Sequence, residues 1–346
     1  MSYLYLFRDD YSEGAHPRVL EALSRTNLQQ EFAYGSDSFS LEAEQLIRGK
    51  INKLTAHVHF VSNGTQANLV SFASLLKPYE SMIAVDSGHP NVHECGAIEA
   101  TGHKINVVSG VEGRLTPEAI EETVNMHSDV HMVKPRVAYI SQATELGTIY
   151  NKKQLQELSQ VCKRLGLYFY IDGARIGNAI MSKEGNVDLS TIADLCDIFY
   201  IGGTKNGALF GEAIVIVNAN LQENFRYHLK QRGALLAKTR ALSVQFLTLF
   251  KNDLYFENAK HANVMAQELA LGIAECGYSF LSATSTNQIF PILPNVVIDA
   301  LQKKYAFYVW TKSVSAPNNS AIRLCTSWAT PESAVQNFLN DLKQLS

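Results

Sequence analysis

The chain has 346 residues, longer than most single compact domains, and its 46% hydrophobic and 18% charged residues are ordinary for a globular protein. The net charge is −3, and no basic block or stripe indicates binding to nucleic acid or to an anionic membrane. The sequence lacks a signal-peptide pattern and any apolar run near the roughly 18 residues of a membrane helix, so we expect a cytoplasmic protein.

Strand-like and helix-like segments alternate through the first two thirds of the chain. Helices are predicted at 41–54, 62–76, 116–124 and 152–166, the third capped by Thr116 with Pro117 at its first position, and the last closed by Gly166. Strands are predicted at 57–61, 81–86, 105–110, 136–141, 167–173, 197–203 and 212–218. Because these strands are apolar without strict alternation, we expect an α/β domain with a mostly parallel sheet.

The pattern changes after about residue 221. Long helical stretches are predicted at 224–250 and 254–276, followed by the short strands NQIFPIL and AIRLCTS and a final helix that starts at TPESAVQ. These features indicate a smaller α+β domain. We predict a large domain at 20–245 and a small C-terminal domain at 246–346.

The five cysteines are odd in number and widely spaced, and no two form a C-x-x-C pair. This pattern argues against a disulfide framework and against a cysteine-based zinc site, and favours thiols in a reducing compartment. The residues are Cys95, Cys162, Cys196, Cys276 and Cys325.

A glycine turn lies between a predicted strand and a predicted helix, at Ser62, Asn63, Gly64 and Thr65. Ligands of open parallel sheets bind at the carboxyl ends of strands, and backbone N–H groups at a helix N-terminus bind phosphate. The turn matches neither a P-loop nor a G-x-G-x-x-G fingerprint. A simple helix cap by Ser62 or Thr65 explains it equally well.

Two charged residues also follow apolar strands. Asp172 ends YFYID, where a carboxylate is costly unless it is paired, and the simpler interpretations are pairing with Arg175 or capping of the next helix. Lys205 follows DIFYIGG among several glycines, where apolar walls can lower its pKa and favour imine formation. The simpler interpretation is a solvated loop lysine.

The three features together match the needs of pyridoxal 5'-phosphate (PLP). This cofactor has a phosphate to anchor, a pyridine nitrogen that needs a carboxylate partner, and an aldehyde that needs an amine. Gly64 and Thr65, Asp172, and Lys205 supply these groups in that order along the chain. We therefore predict PLP held as an imine on Lys205.

The chain resembles the low-specificity threonine aldolase and β-eliminating lyase group of fold-type I PLP enzymes over nearly its whole length. SNGTQANL is similar to the group's phosphate-binding segment, which implies that Gly64 and Thr65 contact the phosphate. DGAR matches the group's motif in full, which implies that Asp172 faces the pyridine nitrogen and that Arg175 binds the substrate carboxylate beside the cofactor. The implied fold is aspartate aminotransferase-like, with a smaller α+β domain.

Four further segments carry the resemblance. GGTKNG resembles the lysine segment and implies that Thr204 lies near the phosphate. GHPNVHECGA implies that His89 stacks on the pyridine ring, with Glu94 five residues on. YGSD places Tyr34 near the substrate, and AIRLCTSWATPE makes Arg323 the second carboxylate clamp.

Three departures from the group's pattern affect the reaction more than cofactor binding. In segment 1–19, which we expect to contribute to the substrate site, Asp9 replaces a serine that contacts the substrate carboxylate. Glu145 stands where the group has a catalytically relevant histidine. A basic stretch that reaches a neighbouring subunit's site in the group reads KQRGALLAKTR, and its candidates are Lys230, Arg232, Lys238 and Arg240.

Histidines offer a metal site as an alternative. His89 and His93 are four residues apart, and His57 and His59 are two apart, but no H-E-x-x-H motif or third ligand accompanies them. We predict no metal site, and we expect His57 and His93 to be structural.

The resemblance implies an aldehyde-lyase that cleaves a β-hydroxy-α-amino acid, converting threonine or allo-threonine to glycine and acetaldehyde. His89 is the candidate base, directly or through water, and Glu145 is the second candidate. The alternatives are another PLP reaction on the same scaffold, such as β-elimination or transamination, a non-catalytic PLP-binding protein, and an α/β enzyme without PLP. A homodimer or homotetramer is implied by the group alone.

Overall fold

The computed structural model of the chain describes residues 3–345, which form thirteen β-strands and thirteen α-helices. The strands are β1 (Tyr5–Leu6), β2 (His57–Val61), β3 (Glu80–Val85), β4 (Lys104–Val108), β5 (Lys134–Ser141), β6 (Tyr168–Asp172), β7 (Ile198–Gly202), β8 (Glu212–Ile216), β9 (Gln288–Ile289), β10 (Ile292–Pro294), β11 (Tyr305–Ala306), β12 (Tyr308–Lys312) and β13 (Asn319–Cys325). The helices are α1 (Pro17–Thr26), α2 (Ser38–Lys50), α3 (Gly64–Leu75), α4 (His89–Val92), α5 (Pro117–Met126), α6 (Lys152–Leu165), α7 (Ile176–Ile180), α8 (Leu189–Leu195), α9 (Phe225–Gln231), α10 (Arg240–Phe250), α11 (Leu254–Glu275), α12 (Asn295–Leu301) and α13 (Glu332–Leu345). Short 3₁₀ helices lie at Glu99–Thr101, Thr204–Asn206, Ala219–Leu221 and Lys251–Asp253.

The central sheet has the strand order β2-β8-β7-β6-β5-β3-β4 in the described part of the chain. Its strands run parallel except for β8, which pairs antiparallel with both β2 and β7. Every residue of β3, β7 and β8 is buried, which explains why their sequences are apolar without alternation. The predicted mostly parallel central sheet is confirmed.

Helices cover both faces of this sheet. In β3, Ile83 and Val85 face the core shared with α2, α6 and α10, whereas Met82 and Ala84 face the core shared with α3 and α9. The alternation follows from the two-residue period of a strand, which sends successive side chains to opposite faces. With both faces covered, the ends of the strands remain as the places where polar loops can meet a ligand.

A separate C-terminal core is defined by buried residues of α11, α12, α13 and the short strands, among them Met265, Leu269, Ile322 and Phe338. The N-terminal segment belongs to it, because β1 pairs parallel with β11 and Phe7 packs on Phe338 at a centroid distance of 5.4 Å. The two cores meet within α11, whose first residues pack on the central sheet. The domain limits at 245 and 246 stay a prediction.

Most predicted elements lie within a few residues of the observed ones, but the helix predicted at 224–250 is wrong as a single element. The structure has α9 and α10 instead, separated by a turn. Gly233 has a φ of +67°, a left-handed conformation that ends a helix, and Ala234 N–H donates back to the carbonyl of Leu229. No helix within residues 3–345 is long and apolar enough to cross a membrane.

Candidate active site

Five loops that carry candidate residues leave the same edge of the central sheet. The parallel strands β2, β3, β5, β6 and β7 all end at this edge, and the antiparallel β8 begins there. Gly64 follows β2, His89 follows β3, Glu145 follows β5, Asp172 ends β6 and Lys205 follows β7. The sheet order therefore brings residues that are far apart in sequence to one edge, where open parallel sheets bind ligands.

The N-terminus of α3 presents an anion-binding turn. Asn63 caps this helix through its side chain, which accepts a hydrogen bond from the N–H of Gln66 at 2.8 Å, so capping by Ser62 or Thr65 is wrong. Within residues 3–345, the backbone N–H groups of Gly64 and Thr65 make no hydrogen bond. Two free donors at the start of a twelve-residue helix favour binding of a phosphate-like anion.

Asp172 is buried in a cluster of hydrogen-bond donors. One carboxylate oxygen accepts from Asn68 Nδ2 at 3.1 Å and from the Tyr139 hydroxyl at 2.8 Å, and the other accepts from Ala174 N–H at 3.0 Å and from the Tyr200 hydroxyl. Burial, and next the charge of Asp172, raises the pKa of Tyr139 and of Tyr200. Both phenols therefore keep the protons that they donate.

Lys205 lies in the 3₁₀ turn after β7 and is half-buried. Its Nζ lies 6.0 Å from the centroid of the Tyr11 ring, and within residues 3–345 it forms no hydrogen bond or ion pair. Burial, and next the Arg175 guanidinium, lowers the pKa of Lys205, although Asp10 and Asp172 oppose this shift. A lysine of this kind loses its proton more readily than a solvated one and is suited to imine formation.

Both predicted carboxylate clamps are already paired with acids of the N-terminal segment. Arg175 donates through Nε and Nη2 to Asp10 at 2.7 and 3.1 Å, and the side chain of Asp10 is fully buried. Arg323 Nη2 donates to Asp9 Oδ1 at 3.2 Å. The simpler interpretation of Asp172 as the counterion of Arg175 is therefore wrong.

His89 is held in place by a buried carboxyl group. Its Nδ1 lies 2.7 Å from Glu94 Oε1, and Asn68 Nδ2 donates to the same oxygen at 2.7 Å. Asn68 thereby bridges Glu94 and Asp172. The Nε2 of His89 makes no hydrogen bond within the described chain, and the side chain is 34% exposed, so this nitrogen can accept a proton from a ligand.

Glu145 is buried beside the backbone of His89. Its Oε1 accepts from the Ser141 hydroxyl at 2.6 Å and from His89 N–H at 3.0 Å, while Oε2 is buried without a hydrogen-bond partner. Burial raises the pKa of Glu145, even though the bond from Ser141 lowers it. This carboxyl group therefore holds a proton to higher pH than an ordinary glutamate does.

The other two predicted residues have partners outside the Asp172 cluster. The Thr204 hydroxyl accepts from Gly211 N–H at 3.0 Å, and it acts to lower the pKa of the buried carboxyl of Glu212. Tyr34 is 40% exposed, and Lys230 Nζ lies 4.7 Å from its ring centroid. The predicted roles of Thr204 at a phosphate and of Tyr34 at a substrate stay predictions.

The histidines considered as metal ligands have other contacts. The rings of His89 and His93 lie 5.5 Å apart between centroids, and His59 Nε2 lies 3.1 Å from Gln222 Oε1. No group of three or more His, Cys, Asp or Glu residues in the part of the chain that the structure describes could hold a metal ion.

The residues at the sheet edge fit PLP on three observations. The free N–H groups of Gly64 and Thr65 suit a phosphate, Lys205 offers an amine with a lowered pKa, and Asp172 offers a buried carboxylate. A Cβ on Gly64 would lie 2.9 Å from the hydroxyl of Tyr200, so this turn needs glycine to approach the carboxylate cluster closely.

Comparison with known proteins decides the family. The family model described as beta-eliminating lyase matches residues 7–295 of the chain. The chain belongs to this family. The predicted resemblance and the prediction of a lyase are thereby confirmed.

Relatives and solved structures match nearly the full length. The low specificity L-threonine aldolase of Pseudomonas sp. is 34% identical over 97% of this chain and 96% of its own. A threonine aldolase structure from Leishmania major has a TM-score of 0.96 at 42% identity, covering 99% of both chains. A Thermus thermophilus aspartate aminotransferase double mutant has a TM-score of 0.73 at 14% identity, covering 99% of this chain and 92% of that one. The predicted aspartate aminotransferase-like fold is confirmed.

Several residues of the site were not predicted from the sequence. Asp10 stood in the polar run RDDY, where nothing distinguished it from Asp9. Asn68 lies within the segment SNGTQANL, and its place there gives no indication of a bond to Asp172. Tyr139 and Tyr200 offered a weak signal, since each places a hydroxyl shortly before the carboxyl end of an apolar strand.

Proposed function

We propose that this family member is a PLP-dependent aldehyde-lyase that cleaves β-hydroxy-α-amino acids, converting threonine or allo-threonine to glycine and acetaldehyde. The observation that carries the proposal is the arrangement of Lys205, Asp172 and the free N–H groups of α3 at one edge of the sheet. The similarity to a Pseudomonas low specificity L-threonine aldolase and to the Leishmania major threonine aldolase structure supports the substrate.

The cofactor cradle consists of four kinds of contact. When bound, PLP acts as an electron sink that makes a bond to the α-carbon of an amino acid easier to break. Gly64 and Thr65 would bind its phosphate, with Thr204 beside it, and Lys205 would supply the amine for its aldehyde. Asp172 would accept a hydrogen bond from the protonated ring nitrogen, because the donors around this carboxylate fix its position in the buried cluster.

The substrate carboxylate is held by Arg175 and Arg323. These two contacts would orient the α-carbon so that its bond to the β-carbon is the one that breaks. His89 would lie against the cofactor ring and would take the proton of the β-hydroxyl at Nε2, since Nδ1 is engaged by Glu94. Glu145, whose pKa burial raises, is a second proton-holding group beside His89.

The assembly and location follow as parts of the same proposal. A homodimer or homotetramer brings a basic side chain of the segment 230–240 to a neighbouring site. Lys230 and Lys238 are its stronger candidates, because Arg240 already donates to the carbonyls of Thr26 and Gln29, and Arg232 already donates to Gln231 Oε1. The cysteines are free thiols, which supports a reducing cytoplasmic location.

Borohydride trapping tests the cofactor assignment. Protein purified with PLP is reduced and digested, and we expect the modified peptide to carry the label on Lys205. The Lys205→Ala variant should not be labelled, and the control Lys303→Ala, an exposed lysine, should be labelled as in the wild type. Label on a different lysine, or none in the wild type, would contradict PLP binding at this site.

A substrate panel tests the reaction. The wild type is expected to release glycine and acetaldehyde from threonine or allo-threonine in steady state. Release of pyruvate and ammonia from serine or cysteine instead would assign the site to β-elimination, and amino-group transfer to a keto acid would assign it to transamination. A yellow protein that turns over no amino acid would identify a non-catalytic PLP-binding protein.

A further inference from the structure

Three consecutive residues of the N-terminal segment each face one cationic group of the site. Asp9 pairs with Arg323, Asp10 pairs with Arg175, and the ring of Tyr11 lies 6.0 Å from Lys205 Nζ. Burial, and next the charge of Asp9, raises the pKa of Tyr11 to about 12, so the phenol stays protonated at neutral pH. Arg175 and Arg323, the two arginines proposed to bind the substrate carboxylate, are therefore already paired with carboxylates of the chain before any ligand binds.

The two ion pairs differ in how easily they exchange. Asp10 makes a two-pronged contact with Arg175, is 1% exposed and accepts a further hydrogen bond from Asn287 at 2.8 Å. Asp9 makes one contact to Arg323, and both side chains remain 12–14% exposed. A single-pronged, partly exposed pair is weaker and exchanges more readily than a buried two-pronged one.

Arg323 has spare binding capacity next to this contact. Its guanidinium lies 4.9 Å from the Tyr308 ring centroid and 5.3 Å from that of Trp310, which fixes its plane. Its Nη2 donates to the Arg8 carbonyl and to Asp9, while Nε is buried without a hydrogen-bond partner. A carboxylate that accepted from both Nη2 and Nε would satisfy this guanidinium better than Asp9 does.

Asp9 also has a second cation to which it can move. Its Oδ2 lies 3.6 Å from Nε of Arg8, whose side chain is 55% exposed and stacks 4.5 Å from the centroid of Tyr308. Displacement from Arg323 therefore leaves the Asp9 carboxylate beside a positive charge at the surface. The exchange swaps one carboxylate for another at Arg323 without leaving an unpaired buried charge.

We propose that Asp9 is an internal competitor that occupies Arg323 and must be displaced by the carboxylate of the amino-acid substrate. The inference rests on the proposed function, and it assigns to Asp9 control over affinity for the carboxylate rather than a direct contact that strengthens binding. A ligand with an α-carboxylate must displace Asp9 from Arg323, which weakens the affinity of the site for it. An amine without a carboxylate binds without displacing Asp9.

The test compares glycine with ethanolamine, which keeps the amine and lacks the carboxylate. Each is titrated into the PLP-loaded wild type, Asp9→Ser and Asp9→Asn while the absorbance of bound PLP is followed. We expect the ratio of the glycine to the ethanolamine dissociation constant to fall about tenfold in both variants, the scale of one charge-assisted hydrogen bond. The KM for threonine should fall likewise.

The control is Asp299→Ser, which removes one exposed acidic charge of α12 and should leave the ratio unchanged. An unchanged or raised ratio in both Asp9 variants would overturn the proposal, because Asp9 would then be neutral or would hold Arg323 in place for the substrate. A lowered ratio in a protein that does not cleave threonine would support the role of Asp9 and refute only the proposed reaction.

Discussion

Buried carboxylates at the sheet edge depend on partners that lie far away in the sequence. Burial alone raises the pKa of Asp10, but the Arg175 guanidinium, with Lys205 and two hydrogen bonds, brings it down to about 2. Asp10 and Arg175 are 165 residues apart. The pair fastens the N-terminal segment to the loop after β6, so each charge depends on the other for compensation.

The Asp10→Asn variant should lose about 3–5 kcal/mol of unfolding free energy at pH 7, because it leaves the Arg175 charge buried without its partner. Urea denaturation of the apoprotein measures this loss, with Asp299→Asn as a surface control expected to change little. The contribution of ionised Asp10 is complete above its unfolded pKa of 3.8 and is lost as the pH falls through about 2. A loss below 1 kcal/mol would contradict the structural role of the pair.

Glu212 is a buried acid beneath the lysine loop. It accepts from Gly203 N–H at 2.7 Å and bonds to Thr204, yet burial outweighs these contacts and raises its pKa to about 8. The folded protein therefore favours the protonated form, and ionisation destabilises the loop that carries Lys205. The contribution of Glu212 to stability therefore falls as the pH rises, whereas the contribution of Asp10 falls as the pH is lowered.

Stability should fall as the pH rises from 4.5 towards 8, because over this range the folded protein keeps the Glu212 proton and the unfolded chain does not. Glu212→Gln removes this dependence while keeping an oxygen that can accept from Gly203 N–H. We expect the unfolding free energy of the variant, relative to wild-type apoprotein, to rise by about 1.4 kcal/mol per pH unit between pH 5.5 and 7.5. Parallel stability curves for the two proteins would refute this assignment.

The sequence was sufficient to place candidate residues at the carboxyl ends of strands. The positions of Asp172 and Lys205 could be predicted because Asp172 ends one apolar run and Lys205 follows another within a few residues, and that position is local information. The partners of Asp172 could not, since Asn68 and Tyr139 meet it only after the sheet order is set. Contacts between residues on separate elements leave no trace in local periodicity.

At the scale of elements, the strands were predicted better than the helical region after β8. His57–Val61 matches its prediction to the residue because a strand between a polar segment and a glycine turn has clear limits. The break between α9 and α10 could not be predicted, because the segment KQRGALLAK keeps helical spacing across Gly233. Its turn is stabilised by a non-local bond, from Tyr34 N–H to the carbonyl of Ala237.

The backbone after β6 and the end of β7 approach each other so closely that glycine is required on both sides. A Cβ on Gly173 would lie 1.8 Å from the carbonyl oxygen of Tyr200, and one on Gly202 would lie 2.5 Å from that of Ala174. Both obstacles are backbone atoms, which cannot rotate away. The backbone segments that position Asp172 and Lys205 therefore have no room to accept a side chain between them.

Gly173→Ala should lower the unfolding free energy by about 3 kcal/mol, because the added methyl group forces the two loops apart. Thermal or urea unfolding of the apoprotein measures the loss, and PLP binding should weaken with it. The control is Gly49→Ala in α2, where no atom lies within 4 Å of the added Cβ and helix propensity favours alanine. Equal stability of the two variants would show that the loops separate freely.

At the scale of the whole molecule, α11 joins the central sheet to the C-terminal core. Tyr255 near its start packs with the residues of the sheet, whereas Met265 and Leu269 pack in the C-terminal core. The N-terminal segment runs the opposite way, from β1 beside β11 to the ion pair at Arg175. Two covalent connections thus cross between the cores, and we expect their unfolding to be coupled.

Tryptophan fluorescence offers a direct check of this coupling. The chain has two tryptophans, Trp310 and Trp328, and both lie in its C-terminal part, while far-ultraviolet circular dichroism reports mainly on the larger helical and sheet region. We expect the two signals to give the same urea midpoint for the apoprotein, because α11 cannot lose one core and keep the other. A fluorescence midpoint clearly below the dichroism midpoint would show independent unfolding of the C-terminal core.

The N-terminal segment also matters for directed evolution. Residues 8–11 touch the surroundings of Arg323, Arg175 and Lys205, so a library of four adjacent codons samples all three cationic contacts at once. The Asp172 cluster cannot be varied in the same way, because its donors come from four separate segments of the chain. A useful change at one of these positions requires matched changes at the others. New substrate preferences should therefore be selected most readily from the segment, with the cofactor cluster left untouched.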